Sequence, residues 1–150
     1  MFKKILACLD GSKLAEQILH CVLELALHFN SQVVLLYVIA PTDLPTASGI
    51  GTRGLIEKQV RAEAEVKAYL HGLAEKLLRE HGLWVEIATE KGAVGKTIMN
   101  YGTRNAVNLI AIATHGEGGL KRLVFGSVAD FVLRNSSIPV LVIRPVVRDM

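Results

Sequence analysis

A run of small and polar residues, Thr114-His115-Gly116-Glu117-Gly118-Gly119, separates an apolar stretch at 109–113 from a helical pattern that opens at Gly126-Ser127. The apolar stretch is too short for a free-standing helix and fits a strand buried on both faces. A strand, a glycine-rich loop and a helix start together let backbone N–H groups converge on an anion. Glycines permit positive φ and close approach, and a slim helix N-terminus presents unpaired donors at the positive end of its dipole. The chemistry expected of these residues is phosphate cradling. A second polar break, Asp10-Gly11-Ser12, follows the apolar run at 5–9. A carboxylate facing a phosphate loop across a crevice points to ribose on one side and phosphates on the other, and so to a mononucleotide.

Other strings invite chemistry and fit it less well. Gly49-Ile50-Gly51-Thr52-Arg53-Gly54 matches GxGxxG, but about ten residues separate it from the preceding strand pattern, whereas a dinucleotide fingerprint sits in the turn straight after the strand. Gly92-Ala93-Val94-Gly95-Lys96-Thr97 ends like a Walker A loop, yet two residues stand between its glycines where four are needed to wrap phosphates. The bland reading is a strand-to-helix turn. His20, Glu24 and His28 share i, i+4 spacing, which a metal site would use, but a solvated helix face explains them more simply. Cys8 and Cys21 lie in apolar patterns and read as small buried hydrophobes in a reducing compartment.

The elements that must position these residues follow from periodicity. Strands are expected at 5–9, 33–39, 84–88, 109–113 and 139–143, and helices at 13–29, 55–81, 94–104 and 127–135. Ser12 caps the first helix, whose apolar stripe is Leu14, Ile18, Val22, Leu25 and Phe29. The second helix is expected to bury Val60, Leu70, Leu73, Ala74 and Leu77. Residues 41–54 form a loop longer than most in such units. The alternation of strand and helix predicts one doubly wound domain over 1–150, with a parallel sheet and helices on both faces. In such sheets the ligand lies beyond the carboxyl ends of the strands, where strand order reverses.

Composition agrees: 51% hydrophobic residues and 21% charged ones describe an ordered globular chain of 150 residues, large enough to bury a core. A net charge of +3, without a Lys/Arg block, gives no footprint for nucleic acid. The apolar run behind Lys3-Lys4 is shorter than a signal-peptide core, and no segment approaches the roughly 20 residues that span a bilayer. A cytoplasmic location is expected, with no membrane partner.

The chain resembles the universal stress protein family of the UspA type. Its nucleotide-binding branch carries Gly-two-Gly-nine-Gly-Ser/Thr after the fourth strand. Here His115-Gly116, nine residues from Glu117 to Phe125, and Gly126-Ser127-Val128 fit all but the first glycine, and the 5–12 and 138–143 segments are also similar. The resemblance implies a five-stranded parallel sheet of order 3-2-1-4-5, adenine nucleotide α-hydrolase-like. It implies ATP or another adenine nucleotide as ligand, with Mg or Mn held mainly by the phosphates. Asp10 would hydrogen-bond the ribose and Val38 would meet adenine through its backbone. Gly116, Gly126, Ser127 and Val128 would hold the phosphates, and Cys8, Ser12, Ala113, His115, Glu117, Gly118 and Gly119 complete the surroundings. It further implies a homodimer through the last strand, Val140–Ile143, whose open edge gives a physical motive for pairing. Two positions depart from the pattern: Ala113 replaces the first glycine, and Glu117 puts an acid beside the phosphates, partly offset by Lys121 and Arg122.

The expected function is a cytoplasmic ATP-binding regulatory module of the stress response, acting on a protein partner that the sequence does not name. Two alternatives stay open. One is a slow ATPase, with Asp10, His115 and Glu117 available to orient water. The other is a related stress protein that binds no nucleotide, supported by Ala113 and Glu117. No residue is assigned a catalytic role.

Overall fold

Runs of β-branched and aliphatic residues, each too short for a helix, form the sheet, and the amphipathic stretches between them form the helices. The computed structural model describes residues 1–41, 51–114 and 126–146. In chain order these give β1 (Lys4–Leu9), α1 (Lys13–Glu16), α2 (Ile18–Phe29), β2 (Gln32–Ile39), α3 (Thr52–His81), β3 (Glu86–Lys91), α4 (Val94–Arg104), β4 (Leu109–Ala113), α5 (Ser127–Asn135) and β5 (Val140–Ile143). The five strands form one sheet in the order β3-β2-β1-β4-β5, and every pairing is parallel.

Alternation along each strand divides the core between the two faces. Ile5, Ala7 and Leu9 of β1, with Val33 and Leu35 of β2, pack against Ile18, Val22 and Ala26 of α2 and Leu70 and Leu77 of α3. Leu6 and Cys8, with Val34, Leu36 and Val38, pack against Ile98 of α4 and Ala129 and Val132 of α5. Strands covered on both sides must be apolar throughout, which is why β1, β2 and β4 read as continuous hydrophobic runs.

The structure departs from periodicity in three places. The helix expected over 13–29 is broken at Gln17. There the side-chain amide forms a reciprocal pair with the chain beyond β5: Gln17 Nε2 donates to the Val146 carbonyl at 3.0 Å, and the Val146 N–H donates to Gln17 Oε1 at 2.8 Å. Val60, expected in the buried row of α3, is exposed. At 3.6 residues per turn it sits about 80° around the helix from Leu70, whereas Glu63 and Val66 share Leu70's side. β3 starts two residues later than expected and runs on through Thr89, Glu90 and Lys91, because these pair with Tyr37, Val38 and Ile39 of β2. Main-chain pairing at a sheet edge tolerates polar side chains that an interior strand would not. No described helix is long and apolar enough to cross a membrane.

Candidate functional site

The chain builds β1, β2 and β3 outward in one direction and β4 and β5 in the other, so strand order reverses between β1 and β4. Pairing between these two ends at Ala7 and Ala111. Yet β1 stays paired to β2 as far as Leu9, and β4 to β5 as far as Ala113. The central strands therefore part over their last two residues, and the residues that follow them, Asp10 and Thr114, stand on opposite lips of the opening.

On the first lip the carboxylate is held in one orientation. Asp10 Oδ1 accepts from the Ser12 N–H at 2.9 Å and from the Ser12 hydroxyl at 2.6 Å. Ser12 Oγ accepts from the Ala15 N–H at 3.1 Å, which caps α1 as the sequence predicts. Gly11 makes this tight turn at a φ of +87°, and a side chain there would also meet the ring of Tyr37. Tyr37 in turn packs edge-to-face on Tyr69, with ring centroids 6.3 Å apart. Burial first, then the negative charges of Glu16 and Asp10, push the Tyr69 phenol up from its ordinary value, so it remains neutral.

On the second lip α5 begins close against the end of β4. A Cβ on Gly126 would overlap the carbonyl oxygen of Thr114. α5 carries no side-chain cap; its first main-chain bond runs from the Asp130 N–H to the Gly126 carbonyl at 2.9 Å. The N–H groups of Ser127, Val128 and Ala129 precede that bond and have no acceptor within the helix. Thr114 is 3% exposed, and its hydroxyl has no hydrogen-bond partner. A buried hydroxyl in that state costs about 1–3 kcal/mol. Sequence reading took Thr114 only as the first loop residue. The available signal was alternation, because Ile110, Ile112 and Thr114 fall on one face of β4.

The remaining expected site residues are distributed unevenly. Cys8 and Val38 are buried in the core on the α4–α5 face, and burial pushes the Cys8 thiol up to about 12, which makes it inert as a nucleophile. Ala113 packs its methyl against the core of the opposite face. Ser127 opens α5, and Val128 packs against the core below it. His115, Gly116, Glu117, Gly118 and Gly119 lie outside the described residues, as do Lys121 and Arg122.

The two misleading strings have structural explanations. Gly51 is the N-cap of α3, and Thr52, Arg53 and Gly54 are in its first turn; Gly49 and Ile50 lie outside the described residues. Gly95 is needed for packing, since a Cβ there would overlap the ring of Phe131 where α4 crosses α5. Gly92 adopts a φ of +143° beside the Thr97 hydroxyl. A cavity of about 330 Å³ near this turn is lined by Ile39, Glu63, Thr89, Glu90 and Lys91. Its charges are internally paired, Lys91 with Glu63 and Glu90 with Arg104. His20 and Glu24 form an exposed pair 3.6 Å apart, and no group of three or more His, Cys, Asp or Glu that could hold a metal occurs among the described residues.

This arrangement defines a doubly wound α/β domain with an opening at its switch point, the place where such domains take their ligands. The universal stress protein family model matches residues 1–144, and the chain belongs to that family. It is similar to the universal stress protein YxiE of Bacillus subtilis, 29% identical over 149 residues that cover 96% of this chain and 100% of that one. The solved structure of hypothetical protein MJ0577 of Methanocaldococcus jannaschii superposes with a TM-score of 0.83 at 27% identity, over 96% of each chain. A universal stress protein family protein of Arabidopsis thaliana, solved with AMP bound, shares the fold with a TM-score of 0.66 at 19% identity, over 95% of this chain and 92% of that one.

Proposed function

We propose that this chain is an adenine-nucleotide-binding regulatory module, in which binding rather than turnover is the activity. The observation that carries this reading is the opening between β1 and β4, with an oriented carboxylate on one lip and an uncapped helix N-terminus on the other. Anions are stabilised at such a terminus and ribose hydroxyls by such a carboxylate. The residues fit the ligand on a further ground: Gly126 lets α5 approach β4 closely enough for its amides to share one notch with the buried Thr114 hydroxyl.

In this reading Asp10 Oδ atoms accept from the ribose, and the Val38 backbone at the end of β2 meets adenine. The N–H groups of Gly126, Ser127 and Val128 donate to phosphate oxygens. Mg or Mn, where present, is carried mainly by the phosphates. The AMP-bound relative supports an adenine nucleotide as the ligand class. The departure at Ala113 is compatible, because its methyl is directed into the core on the α2 side.

Homodimerisation through β5 is the second part of the proposal. β5 pairs with β4 alone among the described strands, and all four of its residues are only half-buried. The carbonyls of Pro139 and Ile143 face β4, where they accept from Ile110 and Thr114. Backbone groups alternate sides along a strand, so those of Val140 and Val142 face outward and offer a pairing edge. A cytoplasmic location and a protein partner in the stress response complete the reading. Nucleotide released from the purified protein by denaturation, identified by chromatography, is the expected outcome of the simplest test. Protein free of nucleotide, whose melting is also unmoved by added ATP or AMP, would reject it.

A further inference from the structure

Thr114 is buried where the carboxyl end of β4 meets the start of α5, and its hydroxyl has no partner. Side chains alternate along β4, with Ile110 and Ile112 on the face covered by α4 and α5, so Thr114 projects to that same face. α5 lies there through Ala129 and Val132, and Gly126 at its N-cap is in tight contact with the Thr114 carbonyl. The first α5 amides have no helical acceptor, and no side chain caps them. Four donors, one hydroxyl and three amides, are thus gathered at one notch that contains no acceptor for any of them among the described residues.

We infer that Thr114 is a further ligand contact, its hydroxyl donating a hydrogen bond to the phosphate oxygen seated at the N-terminus of α5. The inference rests on the nucleotide reading and deepens it, by adding to the backbone amides a side-chain donor that glycine spacing does not show. A hydroxyl shielded from water meets an oxyanion without competition, and such charge-assisted bonds are short and strong. The role is that of a ligand-binding residue with no part in bond making or breaking.

Thr114→Val preserves shape and removes only the hydroxyl; Thr114→Ser keeps the hydroxyl and removes a methyl. Both are compared with the full-length chain, stripped of nucleotide, using AMP, inorganic pyrophosphate and adenosine as probes in calorimetry. The valine variant is expected to melt, without ligand, at or above the temperature of the parent, since it loses an unpartnered buried polar group. Its affinity for AMP and pyrophosphate should fall roughly tenfold or more, with adenosine unaffected and serine restoring most of the loss. The inference is overturned if valine lowers ligand-free melting while AMP and pyrophosphate bind as before. A valine variant that does not fold overturns it too, because the hydroxyl then serves the chain itself. A parent that binds pyrophosphate but not AMP refutes the nucleotide reading alone, and the role of Thr114 is then judged on pyrophosphate. A parent that binds neither refutes both.

Discussion

Gly126 has a φ of −67°, a value open to any residue; the constraint there is room, not conformation. The carbonyl of Thr114 occupies the space a Cβ would need. Backbone cannot rotate aside as a long side chain can, so Gly126→Ala must push α5 away from β4. The expected cost is about 2 kcal/mol, or roughly 4–8 °C in Tm for a chain of this size, with weakened phosphate binding. Calorimetric melting measures the first and titration with AMP the second; an alanine variant equal to the parent in both would show that close approach at this point is immaterial. The same residue shows what a sequence discloses at this scale. Gly126-Ser127 was legible because glycine followed by a helix pattern has few uses. Gly95 looked equally suited to phosphate, yet its missing Cβ makes way for Phe131, thirty-six positions on. A motif gives the residue type; only the neighbours brought by the fold distinguish a cradle from a packing seam.

At the level of elements, strand and helix identities were legible because β1, β2 and β4 are buried on both faces and their apolar runs have no competing interpretation. Ends and breaks were less so, since tertiary partners set them. β3 extends through polar residues because β2 offers the pairing. The helix at 13–29 breaks at Gln17, whose amide partner is 129 positions away. α3 contains a flaw of its own that the fold does not require. Gly72 lies well inside this helix, its φ is unexceptional, and a Cβ there would meet nothing within 4 Å. Gly72→Ala should therefore raise stability by about 0.5–1 kcal/mol, by restricting the unfolded chain and favouring the helix. Urea denaturation checks this, and a lowered midpoint would mean that α3 meets a surface at Gly72 which the isolated chain lacks.

For the whole molecule, the sheet has two described edges, and they are unlike each other. β3 is polar along its length, with Glu86, Thr89, Glu90 and Lys91, a composition that discourages edge-to-edge association. β5 is Val-Leu-Val-Ile, half-buried throughout. Self-association through β5 should therefore be selective. Val142→Pro removes an outward-facing donor while the carbonyls of Pro139 and Ile143 keep their bonds to β4. The parent is expected to run as a dimer in light scattering coupled to size exclusion, and the proline variant as a folded monomer. A dimer that survives this change is built on some other surface.

The account as a whole depends on whether the opening between β1 and β4 accepts an adenine nucleotide. Isothermal titration of the refolded, nucleotide-stripped chain with AMP and with ATP plus Mg²⁺ tests this most directly, with Asp10→Asn as the comparison. Saturable binding, one nucleotide per chain and weakened by the asparagine substitution, is the predicted result. The absence of binding heat at about 1 mM nucleotide, or binding that Asp10→Asn leaves untouched, would contradict it.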